Sequence, residues 1–184
     1  MTNYVYHYTD TARLPWILKD GVLTPGRNRI GGFPDPDFLW ATRSPVGDGT
    51  ASSSRDALLA GLTRSVRFVL REDNFSPWHE VHPRTPQWTS EHVNRLHVAA
   101  RGRSRPEDWW CRLQPLARSA WLAIETRSYT DKVWRCFDPH ARLVDLDADT
   151  YGIEVEGRFY FSSKTEHPTG AAAYQVFVGD RQAA

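Results

Sequence analysis

The sequence predicts an α+β fold, because helical patterns lie in its first two thirds and strand patterns dominate its end. A regular alternation of strands and helices, which is typical of a parallel sheet, does not occur. The 184 residues suffice for one domain, and an apolar content of 40% suffices for a hydrophobic core. We therefore expect a single domain over residues 1–184, with extra strands in residues 138–184.

A first strand is predicted over residues 4–9, an unbroken run of aromatic and β-branched residues. Side chains alternate across a strand, so His7 and Thr9 share one face and the tyrosines share the other. A helical pattern follows directly, which puts His7 near a strand-to-helix junction. We expect His7 and Thr9 to face a cleft, and Tyr4 and Tyr6 to face the core. The alternative is a buried histidine that is hydrogen-bonded to the backbone.

The other elements follow from the spacing of apolar residues and from turn residues. Helices are predicted over residues 10–20 with Gly21 as the cap, around Leu58, Leu59 and Leu62 after a capping serine, and over residues 90–100 after Thr89 or Ser90. Strands are predicted over residues 38–42, 65–70, 120–126, 143–146, 153–161 with a turn at Glu156–Gly157, and 174–178. Residues 77–86 are expected to be irregular.

Composition excludes several classes of protein. The net charge is +1, so no overall field attracts nucleic acid or an anionic membrane. Cys111 and Cys136 form neither a disulfide framework nor a metal-spaced pair. No charged-then-apolar leader and no apolar run long enough to cross a bilayer occur. We expect a cytoplasmic protein, or a toxin that is delivered into a target cell.

The motifs of several common enzyme classes are missing. No Gly-x-Gly-x-x-Gly follows a strand, no Gly-Lys-Ser/Thr occurs, and no serine lies in a nucleophile-elbow pattern. His79, His82, His92 and His97 are the candidates for zinc ligands. No cysteine lies near them, and histidine-rich loops are commonly solvated, so we expect no metal.

Eight tryptophans are many for this length. Tryptophan is used in cores, in stacking clefts and at interfaces, and a core position is the expectation for any single one. Trp109 and Trp110 are adjacent, so on a strand one of them is expected to be exposed.

Three predicted strands offer polar and aromatic side chains in a fixed chain order. The first offers His7, the second offers Trp40 and Thr42 with Ser44 just beyond, and a later strand offers Glu125. This order resembles the ADP-ribosyltransferase superfamily in its His-Tyr-Glu branch, the diphtheria-toxin-like and poly-ADP-ribose-polymerase-like group.

The opening motif carries most of this resemblance. Tyr6-His7-Tyr8-Thr9, followed by Leu14, Ile17-Leu18 and Gly21-Val22-Leu23, looks like the histidine strand, helix and glycine turn of small bacterial and phage members. Leu39-Trp40-Ala41-Thr42 looks like their second strand, and Trp121-Leu122-Ala123-Ile124-Glu125 looks like a strand that ends in the third-motif glutamate. The resemblance covers about residues 4–126, and it implies a split β-sheet with flanking helices.

The resemblance also implies a reaction. NAD would be the substrate, and its ADP-ribose would pass to a protein or a nucleic acid with release of nicotinamide. Neither a membrane nor an obligate metal is implied. Cleavage of the nicotinamide–ribose bond passes through an oxocarbenium-like state, which a nearby carboxylate stabilises. Glu125 is the catalytic candidate, and His7 would hydrogen-bond the ribose.

The remaining site residues are assigned by the same resemblance. The tyrosine that usually stacks on nicotinamide is missing, so Trp40 or Tyr8 would take its place. Thr9 would lie beside His7, and Thr42 and Ser44 would support the site by hydrogen bonds. By family analogy, the loop before Glu125 would recognise the acceptor through Arg103, Arg105, Trp109 and Trp110.

Alternatives stay open for the carboxylate. The alternative to a catalytic role is that Glu125 is a strand-end glutamate paired with Arg118 or Arg127. Glu154 and Glu156, two apart on one strand face, resemble the Glu-x-Glu signature of the arginine-modifying branch, and are otherwise polar residues of an exposed strand edge.

Alternatives also stay open for the activity. One alternative is a catalytically degenerate binding module of the same fold, which recognises nucleic acid or protein. Another alternative is an NAD glycohydrolase, or an RNA 2′-phosphotransferase-like enzyme that uses His7 with Arg13, Arg27 and Arg29.

Overall fold

A computed structural model describes residues 3–26, 32–51, 54–166 and 172–179. The predicted α+β class is confirmed: helices and mostly antiparallel strands occur together, and the α-helices of the described residues all end before residue 101. In that part of the chain, no helix is long and apolar enough to span a membrane.

The elements have the following bounds. The helices are α1 (Leu14–Asp20), α2 (Arg55–Leu59), α3 (Trp78–Val81) and α4 (Ser90–Ala100). The strands are β1 (Tyr4–Asp10), β2 (Val22–Leu23), β3 (Leu39–Thr42), β4 (Ser65–Arg71), β5 (Ser76–Pro77), β6 (Trp109–Arg112), β7 (Leu116–Ala117), β8 (Trp121–Arg127), β9 (Arg135–Phe137), β10 (Leu143–Asp147), β11 (Thr150–Val155), β12 (Arg158–Glu166) and β13 (Ala172–Gly179).

The chain forms two compact units, each built from three separate segments. The first unit comprises Met1–Tyr8, Leu23–Ala51 and Val69–Leu122, and the second comprises Thr9–Val22, Ser52–Phe68 and Ala123–Ala184. Neither unit is a continuous stretch of sequence, so a single cut in the chain would not separate them. The prediction of one domain over residues 1–184 stays a prediction.

The first unit has the strand order β5-β6-β3-β1, and the pairs in it are antiparallel. Thr42 of β3 lies opposite Tyr6 on one side and opposite Trp109 on the other. Its core contains Phe38, Trp78, Trp88 and Trp109, with Trp40 packed against them. We call the four indoles the tryptophan cluster: Trp40, Trp78, Trp88 and Trp109.

Helix α4 matches its prediction. Thr89 caps it, since its hydroxyl accepts from the His92 backbone N–H while His92 Nδ1 accepts from the Thr89 backbone N–H. Val93 and Ala100 are buried on its inner face, as the spacing predicts. Residues 77–86, expected to be irregular, contain the one-turn helix α3, because burial of Trp78 stabilises a turn too short to show a periodic pattern.

The second unit has the strand order β4-β8-β9, and a separate four-stranded sheet in the order β10-β11-β12-β13. Residues 65–68 of β4 belong to this unit and residues 69–71 to the first, and the strand buries Val66, Phe68 and Leu70 completely, as their alternation predicts. The predicted turn within residues 153–161 is confirmed, since Glu156 and Gly157 have positive φ angles of 51° and 79° and join β11 to β12. The strands predicted near the end of the chain are therefore present.

Two predicted helices are shorter than expected. Asp10 ends β1, and its carboxylate accepts hydrogen bonds from the backbone N–H groups of Ala12 and Arg13, so a turn replaces the first part of α1. Gly21 ends α1 with a φ of 66°, as predicted. Ser54 caps α2 as predicted, but α2 ends at Leu59, which is 55% exposed. Five residues are too few to bury an apolar stripe.

Two expectations about strand faces are wrong. Trp109 and Trp110 are both buried, at 4% and 8% exposed, because β6 is covered on both faces. Trp109 packs in the tryptophan cluster, and Trp110 lies beneath the Arg43 guanidinium at 4.7 Å. Tyr4 is 47% exposed whereas Val5 is fully buried, so Val5, and not Tyr4, packs in the core. Tyrosine tolerates this position because its hydroxyl end favours water.

Candidate functional site

Strands β1 and β3 hold the half-buried His7 in one orientation. His7 Nδ1 lies 2.7 Å from the backbone oxygen of Trp40. A carbonyl oxygen only accepts, so Nδ1 carries the hydrogen, and Nε2 of the neutral ring is an acceptor. His7 thus makes a hydrogen bond to the backbone, as the alternative of a buried histidine predicts. The nitrogen that makes this bond is Nδ1, the ring nitrogen nearer to the backbone of His7 itself.

Three other predicted site residues lie on the same two strands or just beyond them. The Tyr8 hydroxyl donates to the Ser44 backbone oxygen at 2.7 Å. The Ser44 backbone N–H donates to Thr42 Oγ1 at 3.1 Å, and the Ser44 hydroxyl donates to the Gly47 oxygen at 2.8 Å. Thr42 is only 2% exposed, so its hydroxyl supports the chain after β3. Tyr6 lies opposite Thr42, so Tyr8, Trp40 and Thr42 share one face of the sheet, and His7 lies on the other face.

The two aromatic candidates for stacking on nicotinamide have different surroundings. The Trp40 ring lies 4.8 Å from Trp78 and 6.0 Å from Trp109, and its indole N–H donates to Asp37 Oδ1 at 3.0 Å. The Tyr8 ring lies 6.3 Å from the Tyr6 ring on the same face of β1. Which of the two stacks on a ligand stays a prediction.

Glu125 lies on β8 in the second unit, two residues before the strand ends. Its Oε2 accepts from Arg67 Nε at 2.5 Å, and the side chains of Glu125 and Arg67 are 18% and 11% exposed. The Arg67 guanidinium also lies 4.5 Å above the Trp134 ring, and that of Arg127 lies 4.4 Å from the same ring. The ion-pair partner is thus Arg67, and not Arg118 or Arg127 as the alternative predicts.

Thr9 also belongs to the second unit, where it is 5% exposed. Burial of this degree leaves its side chain little surface to offer to a ligand. The expectation that Thr9 lines a cleft beside His7 stays a prediction.

The competing carboxylates do not form the predicted pair. Glu154 lies on β11, but Glu156 lies in the turn after it, so the two are not on one strand face. Glu156 is paired with Arg64 at 2.9 Å and with Arg135 at 3.3 Å. These ion pairs hold the β11–β12 turn, and the likeness to the arginine-modifying branch is lost.

The histidines proposed as metal candidates are arranged for other contacts. Among the described residues, no group of three or more metal-ligating side chains occurs. The Trp78 indole N–H donates to His97 Nε2 at 3.3 Å, and His92 takes part in the α4 cap. Burial lowers the pKa of His97, and burial together with the charges of His97 and His79 lowers the pKa of His82.

The basic loop before β6 is largely tied down. Arg103 Nη2 donates to the Gly49 oxygen at 2.6 Å, and Arg105 Nε donates to Glu107 at 3.0 Å. With Trp109 and Trp110 buried, the predicted acceptor-recognition surface loses its aromatic members. Arg27 and Arg29, proposed for a phosphotransferase-like activity, lie outside the described residues.

Sequence reasoning missed Arg67 and Trp134 as members of the Glu125 cluster. The alternation of Val66, Phe68 and Leu70 already put Arg67 on the opposite face of β4, and that was the available signal. Trp134 lies between strands, where no periodic pattern marks it. We call Glu125, Arg67, Trp134 and Arg127 the arginine–tryptophan stack.

Comparisons of the chain with protein-family models, with curated proteins and with solved structures found no match.

Proposed function

We propose that the chain transfers ADP-ribose from NAD to a macromolecular acceptor, protein or nucleic acid, and releases nicotinamide. The observation that carries the proposal is the 2.7 Å hydrogen bond between His7 Nδ1 and the Trp40 oxygen. It fixes the imidazole against the backbone of β3 and makes Nε2 of the neutral ring an acceptor, which suits a ribose hydroxyl. The order of His7, Trp40, Thr42 and Glu125 supports the same assignment.

In the proposed reaction, the bond between ribose C1′ and the nicotinamide nitrogen breaks. Its electron pair leaves with nicotinamide, whose ring becomes neutral, and positive charge develops on the ribose. The Glu125 carboxylate stabilises this charge. A nucleophile of the acceptor then bonds to C1′, and its proton passes to Glu125 or to water.

Arg67 fixes one oxygen of the Glu125 carboxylate in place, and its positive charge also offsets part of the carboxylate's charge. Oε2 accepts from Arg67 Nε at 2.5 Å, and the stacking of Arg67 on Trp134 at 4.5 Å limits its own motion. A carboxylate held in one orientation stabilises developing charge without first reorganising.

The first test is NAD binding by calorimetry and transfer of labelled ADP-ribose to a cell lysate. We expect His7→Ala to weaken NAD binding at least tenfold, about 1.4 kcal/mol. We expect Glu125→Gln to keep NAD binding and to slow transfer by roughly a hundredfold or more, as for loss of a group that stabilises transition-state charge. Glu154→Gln removes a carboxylate from β11 and is the matched control, with both properties unchanged. The proposal is wrong if the wild-type chain neither binds NAD nor labels any acceptor.

A second candidate is a binding module of the same fold without catalysis. The Arg67–Glu125 ion pair favours it, because the pair already satisfies one oxygen of the proposed catalytic carboxylate. If the chain is such a binding module, Glu125→Gln should leave every cellular effect of the chain intact. Toxicity on expression that Glu125→Ala abolishes would exclude the module. Release of free ADP-ribose without an acceptor would instead indicate an NAD glycohydrolase.

A further inference from the structure

Strand β13 (Ala172–Gly179) is one edge of the four-stranded sheet of the second unit. It pairs with β12 on one side, and within the described part of the chain no strand pairs with its other side. Its sequence contains neither a charged residue nor a proline. Folded proteins usually protect an edge strand with charges, prolines or bulges, because its unpaired backbone groups bind another strand.

The opposite edge of the same sheet, β10, has this protection. Asp145 and Asp147 are exposed on it, and its register with β11 shifts between them, as at a bulge. Carboxylates on an edge strand repel a second copy of that strand. On β13, Arg13 lies over the Tyr174 ring at 5.3 Å, but Asp10 balances the Arg13 charge at 2.8 Å. Of the two edges of this sheet, β13 is therefore the one open to pairing with a like strand.

The hydrogen-bond ladder shows which backbone groups of β13 point to its open side. The Lys164 N–H donates to the Asp149 oxygen at 3.0 Å, so Lys164 points its backbone groups toward β11, and Ser163 points its own toward β13. Gln175 lies opposite Ser163 and therefore points its backbone groups toward β12. The groups of the alternate residues of β13 point outward, and these residues are Ala172, Tyr174, Val176 and Val178.

A row of stacked aromatic rings ends at the same edge. Phe161 stacks on Phe159 at 6.0 Å and on Phe177 of β13 at 5.0 Å, with interplanar angles of 18° and 13°. Phe159 and Phe161 are 8% and 4% exposed, whereas Phe177 is 43% exposed. The apolar row therefore loses its cover at its last ring, which lies on the open edge strand.

We propose that β13 pairs antiparallel with β13 of a second copy of the chain, about a two-fold axis at Gln175. The two four-stranded sheets then continue into each other through the paired edges. The same surface of both copies is used, so the contact is self-complementary. Assembly stops at the dimer, because both β13 edges are occupied and the β10 edges are protected.

The position of the axis follows from the outward backbone groups. An axis at Gln175 places Ala172 opposite Val178 and Tyr174 opposite Val176 of the second copy, so every outward N–H and C=O of both strands is paired. An axis at Val176 would leave the backbone groups of Ala172 without a partner. The two Gln175 side chains, each exposed in the single chain, then face each other, and their amides donate and accept reciprocally.

Sedimentation of the full chain between about 1 μM and 500 μM is the test. We expect a monomer–dimer equilibrium with a Kd on the order of 10 μM, as for a small interface. Val176→Pro removes an N–H that points outward and keeps the ladder with β12, so it should weaken the dimer roughly tenfold or more. Val176→Thr keeps both the N–H and the β-branched shape, and this matched control should dimerise as the wild type does. The melting temperature of each variant at about 1 μM, where the wild type is monomeric, checks that the chain folds.

A charge exchange at Gln175 tests the position of the axis without changing the backbone. Gln175→Lys and Gln175→Glu each place like charges opposite each other and should weaken the dimer roughly threefold or more. An equimolar mixture of the two variants pairs opposite charges and should restore it. The proposal is overturned if the wild type stays monomeric at about 500 μM or forms species larger than a dimer. It is also overturned if Val176→Pro dimerises as tightly as Val176→Thr, or if the mixture dimerises no better than either variant alone.

This pairing is independent of the proposed transfer reaction, since neither His7 nor Glu125 lies on β13. His7→Ala and Glu125→Gln should therefore leave the dimer unchanged in the same sedimentation experiment. A chain that dimerises but does not bind NAD would overturn only the transfer reaction, and a monomer that transfers ADP-ribose would overturn only the pairing.

Discussion

The tryptophan cluster of the first unit and Trp134 of the second unit have different surroundings. Each indole N–H of the cluster donates to a fixed acceptor at 2.9–3.3 Å, on Asp37, His97, Pro36 and Asp48. Trp134 is instead half-buried, with the guanidiniums of Arg67 and Arg127 at 4.5 and 4.4 Å from its ring.

Tryptophan therefore stabilises the two units by different means. In the cluster, indoles exclude water from a large area and need acceptors because they are buried. In the arginine–tryptophan stack, the ring orients two cations, and one of those cations holds Glu125. We therefore expect substitutions in the cluster to act mainly on folding, and substitutions in the stack to act mainly on the carboxylate.

The largest effect is expected from Trp78→Ala, since Trp78 is 1% exposed at the centre of the cluster. Removal of a buried indole should lower the free energy of unfolding by about 3–5 kcal/mol. Denaturant unfolding followed by circular dichroism measures it. Trp134→Ala is the matched control and should lose clearly less. Equal losses in the two variants would contradict the comparison.

Arg67→Leu should have the next largest effect. It leaves the Glu125 carboxylate, 18% exposed, without its partner, and should cost about 1–3 kcal/mol of unfolding free energy. The double variant Arg67→Leu/Glu125→Leu should cost less than the sum of the two single variants, because no partly buried charge is left alone. Additive losses would show that the two side chains do not interact.

Trp134→Leu should have a smaller effect, about 1 kcal/mol, from two cation–π contacts at a half-exposed ring. The same unfolding measurement applies. In an Arg67→Leu/Arg127→Leu background, Trp134→Leu should lose at most half as much, since the cations are gone. A loss that is the same in both backgrounds would mean that Trp134 acts through packing alone.

The smallest effect is expected from pH. The pKa of His97 is lowered from its ordinary 6.5 mainly by burial, so between the folded and unfolded pKa values the unfolded chain binds more protons. Stability from this source is therefore complete above about pH 6.5 and falls as the pH decreases toward the folded pKa. Protonation of Nε2 also removes the acceptor of the Trp78 N–H.

Melting temperatures between pH 8 and pH 5 test this dependence. His97→Gln should flatten the decrease, although His82, whose pKa is also lowered by burial, keeps part of it. His140→Gln, at an exposed position of the second unit, is the control and should leave the slope unchanged. A steeper decrease in His97→Gln than in the wild type would contradict the argument.

Local patterns predicted the elements whose stability depends on neighbours in sequence. The alternation in β4, the capped and amphipathic α4 and the β11–β12 turn were all readable, because strand faces, helix caps and tight turns are decided within a few residues. The pattern was insufficient for α3, which is only one turn long. It was misleading for Trp109 and Trp110, because alternation says that the two face opposite sides but not whether both sides are covered.

The candidate site divides in the same way. The strand pattern predicted that His7 lies on a strand next to a turn and that Glu125 lies on a strand. Their partners depend on the tertiary structure, since Trp40 is 33 residues from His7 and Arg67 is 58 residues from Glu125. Local preferences act over a few residues, whereas strand pairing and ion pairing join distant segments whose choice depends on the packing of the whole chain.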